Sequence, residues 1–232
     1  MKKLRSSMVM LTILVCSYAD AIGAPVIVGI PLENDDGVTT DLFDVAQGTI
    51  VLQSSPLFFN FTAEGTFGST SLSAIEGHRT IFSDVARPTD FIEFKTPTPV
   101  NLESYRFVLG EDGDGTGNRG SGAFRLFASS QQADLLSNLV SSTSIPTTFT
   151  ANFGSPQIAI SDTVNTPNVQ YFRLEVDRIG SGPRIFELDG FGVAVPEPAG
   201  LTLIWLALCT LTTRRRSSRW HRGVASETAM RR

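Results

Sequence analysis

Apolar and polar residues alternate with a period of two through most of the middle of the chain. Tyr105, Phe107 and Leu109 alternate with Arg106 and Val108; Phe124 and Leu126 with Arg125 and Phe127; Phe172, Leu174 and Val176 with Arg173 and Glu175. Successive side chains of an extended strand point to opposite faces, so each stretch predicts a strand with one face in a core. Further strands are expected near Ile50–Leu52, Phe58–Thr62, Thr80–Ser83, Asp90–Phe94 and Arg184–Val193. Clusters of Gly, Ser, Thr, Asn and Asp punctuate these runs and mark the loops. Helical spacing is scarce. One short turn is expected around Gln131–Leu139, with Leu135, Leu136 and Leu139 on one side. No internal repeat is present, and the pattern predicts one all-β domain over residues 25–194, of the sandwich type.

Two segments break the pattern. Residues 1–24 combine a basic start (Lys2, Lys3, Arg5), an apolar run from Met8 to Cys16, and small residues around Ala19-Asp20-Ala21 and Ile22-Gly23-Ala24. That is the layout of a secretory signal peptide, with an apolar run too short to span a bilayer. Val15 before Cys16 argues against a lipoprotein signal, which needs a small residue there. At the other end, Val195-Pro196-Glu197-Pro198 precedes an apolar run over 199–213, then Arg214, Arg215, Arg216 and Arg219. The prolines end the preceding strand. Three consecutive arginines after a short apolar helix favour the cytoplasmic side of a membrane. A basic tail, 220–232, follows.

Setting both ends aside changes the charge. The whole chain carries −4, but the body holds 9 basic and 20 acidic residues, a balance of −11. So acidic a body repels phosphate backbones, which argues against nucleic acid as a partner. Cys16 and Cys209 both lie in the end segments. The body therefore has no disulfide, cysteine–zinc site or thiol nucleophile.

The C-terminal order of parts resembles the PEP-CTERM sorting signal. In that family a Pro-Glu-Pro motif, a short transmembrane helix and a basic cluster are recognised by an integral-membrane exosortase. The resemblance covers residues 195–219 and implies processing near Pro196–Pro198. It further implies membrane anchoring with the domain on the periplasmic side, then release to the cell surface or an exopolysaccharide matrix. The chain departs from the family in running on to Arg232.

The second half of the body carries a further likeness. Phe91-Ile92-Glu93-Phe94, Tyr105–Leu109, Phe124–Ser129, Tyr171–Val176 and Phe186–Gly192 follow one another as strand patterns. Over residues 75–193 this is similar to discoidin-like (coagulation factor 5/8 C-type) galactose-binding domains. The likeness implies a jelly-roll β-sandwich and lies in strand patterns rather than in ligand residues.

Among candidate sites, Glu111–Asn118 holds the most chemistry. Asp112, Asp114, Thr116 and Asn118 alternate with glycines, so side-chain and carbonyl oxygens could converge on Ca²⁺. The EF-hand pattern fails at its last position, Ala123, and an acidic hairpin loop explains the same residues. Asn34-Asp35-Asp36-Gly37 reads as a solvated turn. His78, the one histidine of the body, lies beside Glu76 and Arg79 without a nucleophile motif. Glu187 and Asp189 share a face that looks to solvent or to a neighbouring strand. Arg125, Arg173 and Arg184 are expected on an outer face, where pairing with carboxylates is their common use.

No catalytic constellation stands out. The expectation is an exported, non-catalytic surface or matrix protein that binds glycan or polysaccharide. The alternatives are a structural protein without ligand and, less favoured, a secreted glycoside hydrolase.

Overall fold

The computed structural model describes residues 24–31, 41–68, 80–110, 119–146 and 157–196. Within them run eight strands: β1 (Val26–Ile30), β2 (Ile50–Ser54), β3 (Thr80–Ile81), β4 (Thr89–Gly110), β5 (Ser121–Ser129), β6 (Leu139–Ser144), β7 (Gln157–Arg178) and β8 (Arg184–Ala194). Every pairing among them is antiparallel.

Two strands organise the molecule. β4 and β7 are 22 residues each and pair along their length. At about 3.3 Å per residue such a strand is roughly 70 Å long, too long for one layer of a domain this size. Both therefore bend. Pro97, Pro99 and Pro167 supply no ladder N–H, and the register slips between Lys95 and Ser104. Before the bend, Ile92–Lys95 of β4 pairs with β2 and with Tyr171–Leu174 of β7, which pairs onward to β5 and β6. After it, Val100–Gly110 pairs with β8 and with Gln157–Val169, which pairs onward to β1. β3 extends the sheet beyond β8.

The two layers close on an aromatic core. Phe107 of one layer stacks on Phe124 of the other at 4.7 Å. Phe94 stacks on Phe172 at 5.2 Å, and Phe43 meets both edge-on at 5.0 and 4.8 Å. All five rings are fully buried. Phe43 arrives on the segment before β2, where Asp44 caps a 3-10 turn at Val45–Gln47 by accepting from the Ala46 N–H at 2.7 Å. Gly190 faces this ring, and a Cβ there would lie 2.7 Å from it.

The bend gives the sandwich two unlike ends. At the bend end lie Pro97, Pro99, the Thr166–Asn168 excursion of β7 and the exit of β8, where the Val195 N–H donates to the Pro99 carbonyl at 2.7 Å. At the opposite end, here the loop end, the segments 55–61, 82–88 and 179–183 meet the start of β5. There Ser83 bonds Pro56, Phe82 bonds Pro183 and Arg184 bonds Arg119 through their backbones.

Several expectations need correcting. Phe58–Thr62 is not a strand: a bridge at Leu57–Phe82 is followed by a turn closed by the Phe61 N–H on the Phe58 carbonyl. The segment Gln132–Ser137 is a 3-10 helix that buries Leu135 alone, while Leu136 and Leu139 are exposed. A 3-10 turn repeats every three residues, so Leu135 and Leu136 cannot share a face.

Candidate functional site

At the loop end, the turn after β2 presents an unusual residue. Phe59 has φ 44° and is 85 % exposed. Left-handed backbone costs an L-residue with a bulky side chain roughly 1–2 kcal/mol, and Asn or Gly commonly fills such a place. Here the chain holds a phenylalanine in that strained conformation with its ring in water. It is supported from below. Phe58 meets it edge-on at 4.6 Å, and the Arg119 guanidinium lies 5.0 Å from the Phe58 ring centroid.

Arg119 is itself fixed. Its two terminal nitrogens donate to the two carboxylate oxygens of Asp84 at 2.9 and 3.2 Å, and one also reaches the Gly182 carbonyl at 3.1 Å. Burial pushes the Asp84 carboxyl up, but the Arg119 bond and the Gly182 N–H outweigh it and hold it below the usual range. The Asp84 side chain stays 46 % exposed. An aromatic ring, a fixed guanidinium and an ionised carboxylate are thus carried on three segments that converge at one end.

A buried pair anchors these loops. Arg178 donates to Asp90 at 2.6 and 3.2 Å and to the Ser83 carbonyl. Asp90 is fully buried, and Arg87 approaches it at 3.5 Å. The segment 82–88 is thereby tied to the end of β7.

Elsewhere charges pair across the sheet. On the outer face of β5, β7 and β4, Arg125 bonds Glu175 and Asp177, and Arg173 bonds Glu175 and Glu93. Arg173 also lies 3.8 Å from the Phe91 ring centroid. The Arg125 bond holds the Asp177 carboxyl below its usual range. Both arginines thus serve the ion-pairing expected of them. Glu187 and Asp189 do not face solvent: they are buried, 3.7 and 3.8 Å from Arg106 of the neighbouring strand. Between the layers Ser141 donates to Asp162 at 2.7 Å and lies 2.9 Å from the Tyr105 hydroxyl. Burial pushes the Tyr105 phenol well above its usual range.

The remaining sequence candidates lie outside the described residues: Asp112, Asp114, Thr116 and Asn118, the 34–37 turn, His78, Glu197, Pro198 and the arginines 214, 215, 216 and 219. The flanks of the first, Gly110 and Arg119, stand at the loop end. Val195 and Pro196 leave β8 at the bend end, half-buried and exposed. Among the described residues no group of three or more His, Cys, Asp or Glu could hold a metal ion. Among them no helix is long and apolar enough to cross a membrane.

Sequence reasoning missed the Phe59 site. Phe58, Phe59 and Phe61 read as strand, since strands favour aromatics, and only Pro56 and Asn60 beside them signalled a turn.

No protein-family model matches the chain, and no curated protein is similar to it. Solved structures do resemble it. The carbohydrate-binding module CBM32-3 of a family 31 glycoside hydrolase from Clostridium perfringens is similar with TM-score 0.50 and 14 % identity, over 65 % of this chain and 94 % of that one. The family 32 carbohydrate-binding module of Streptococcus pneumoniae EndoD follows with TM-score 0.46 and 16 % identity, over 66 % and 100 %. Allantoicase from Saccharomyces cerevisiae gives TM-score 0.49 and 13 % identity over 68 % of this chain, which spans only 49 % of that protein. At these identities the likeness is one of fold alone, and the chain is an antiparallel β-sandwich of the architecture seen in that Clostridium module.

Proposed function

We propose that this chain is an exported, non-catalytic surface or matrix protein that binds glycan through its loop end. The observation that carries the reading is Phe59, an exposed ring held in strained backbone above Phe58 and the Arg119–Asp84 pair. Strain at a position that buries nothing points to function rather than to stability. The chemistry suits a sugar. The C–H face of a pyranose carries partial positive charge and fits the negative face of an aromatic ring, while the half-exposed Asp84 carboxylate, held in place by Arg119, offers fixed acceptors to hydroxyls. The fold is one on which a carbohydrate-binding module is built, which supports the reading without supplying the ligand.

Delivery follows from the ends of the sequence. The segment 1–24 directs export, an exosortase-type enzyme acts at Val195–Pro198, and the apolar run with Arg214, Arg215, Arg216 and Arg219 holds the chain in the membrane until then. Glycan-array binding of the full chain in detergent tests the ligand. Wild-type binding that weakens by about tenfold or more in Phe59→Ala, with an unchanged melting temperature, supports the reading. No binding by the wild type, or binding indifferent to Phe59, overturns it in favour of a structural protein without ligand.

A further inference from the structure

A second groove lies at the opposite end of the sandwich, where β5, β6 and the bent part of β7 meet. Its volume is about 480 Å³, within the 300–1,000 Å³ of small-ligand clefts. One wall is the 3-10 turn Gln132–Ser137 with Asp134 and Asn138; the other is Thr166–Asn168. Ala128, Val140, Val164 and Val169 contribute apolar lining.

The β7 wall turns through left-handed backbone at two asparagines, a residue type that tolerates it. Asn165 has φ 47° and Asn168 φ 54°, and between them Thr166-Pro167 steps out of register with β4, where Leu102 pairs Thr166 and Val100 pairs Val169. The Asn168 N–H is caught by the Asn101 side-chain oxygen at 2.9 Å, which holds the excursion in place. Among the described residues, non-glycine positive φ occurs at Phe59, Asn165 and Asn168 alone. Two of the three thus shape this groove, and the third is the loop-end ring.

The lining chemistry selects the ligand class. Among the described residues no lysine, arginine or histidine lines the groove, so no cation there favours an anion. Asn138 donates one side-chain N–H to the Asp134 carbonyl at 2.7 Å, which orients its amide and leaves its oxygen as an acceptor. Asn168 offers an amide, Ser130 a hydroxyl and Asp134 a carboxylate, all on exposed residues. Amide and hydroxyl groups with one carboxylate acceptor on two walls, and apolar surface between, match a neutral polyhydroxylated ring. They do not match a phosphate, nor a long apolar chain.

We propose that this groove is a second saccharide subsite, and that the protein bridges two polysaccharide strands from opposite ends. The proposal rests on the glycan reading of the loop end. The eleven residues from Val100 to Gly110 separate the two ends by about 30 Å, so one sugar unit cannot occupy both.

The test titrates the full chain in detergent with neutral gluco-, galacto- and mannohexaoses. It follows amide shifts by NMR and, separately, turbidity with the corresponding soluble polysaccharides. Asn138→Ala with Asn168→Gly removes both amides while glycine keeps the backbone at residue 168; Phe59→Ala removes the other site. Two equivalents bound by the wild type, one by each variant, and turbidity lost in both establish the bridge. One equivalent, unaffected by the groove variant and lost in Phe59→Ala, overturns the second site and leaves the loop-end reading standing. One equivalent lost only in the groove variant overturns the loop-end reading and the bridge. No binding of any probe overturns both sites.

Discussion

At the scale of single residues, strain and burial make opposite demands on Phe59 and Asp41. Phe59 gains nothing from the core, so its removal should not harm the fold. Phe59→Asn keeps a residue that tolerates left-handed backbone. Thermal unfolding should show a stability unchanged or raised by up to about 1 kcal/mol, while glycan binding falls. Asp41 is the reverse case. Its carboxylate accepts from the Phe43 N–H at 2.7 Å and the Gly190 N–H at 3.3 Å, yet burial wins over these bonds and raises its pKa to about 6. A raised acid binds its proton more tightly in the folded chain than in the unfolded one. Stability from this group is therefore full below about pH 4 and lost as pH rises through 6. The loss can reach about 3 kcal/mol for a shift of two units. Melting temperatures between pH 4 and 6.5 should fall in the wild type and stay flatter in Asp41→Asn. Equal slopes would show that Asp41 does not titrate there.

At the scale of elements, the loop end depends on a buried ion pair and the core on one missing methyl group. Replacing Arg178 by Gln takes the 2.6 Å partner from the fully buried Asp90 and leaves it only Arg87, at 3.5 Å. Breaking such a pair costs about 3–5 kcal/mol, so the urea midpoint should drop steeply. Backbone amides of 82–88 should exchange faster as well, since Arg178 no longer holds Ser83. Gly190→Ala drives a Cβ to 2.7 Å from the Phe43 ring. Overpacking of that kind costs about 1–3 kcal/mol, read as a lower melting temperature. Elements were legible wherever one face met the core along a straight strand, as at Tyr105–Leu109, Phe124–Leu126 and Phe172–Val176. They were not legible at Phe58–Thr62, where a turn carries aromatics, nor at β6, whose Leu139-Val140-Ser141-Ser142-Thr143-Ser144 has too few apolar residues to show a period. The 3-10 turn was placed correctly, but its buried side was not, because three leucines within five residues fit a helix as readily as a tight turn.

At the scale of the whole molecule, the bend in β4 and β7 does most to arrange function. It lets two strands serve both layers and separates a loop end bearing Phe59 from a bend end bearing the groove and the chain's exit at Val195. The alternation of apolar and polar residues determined by itself that the body would be β-sheet with one face buried, because a period of two fits an extended strand and not a helix; that the strands pair antiparallel was decided by the fold. Charge placement likewise set the acidity of the body and the basic flank of its C-terminal segment. The pairing of distant segments was decided only in three dimensions. Arg119 meets Asp84 and Phe58, 35 and 61 positions away, and Asn168 meets Asn101 at 67. No local pattern encodes such separations; they arise when closing the sandwich brings the loops at each end together. The candidate site therefore belongs to the tertiary fold, and the sheet that carries it to the sequence.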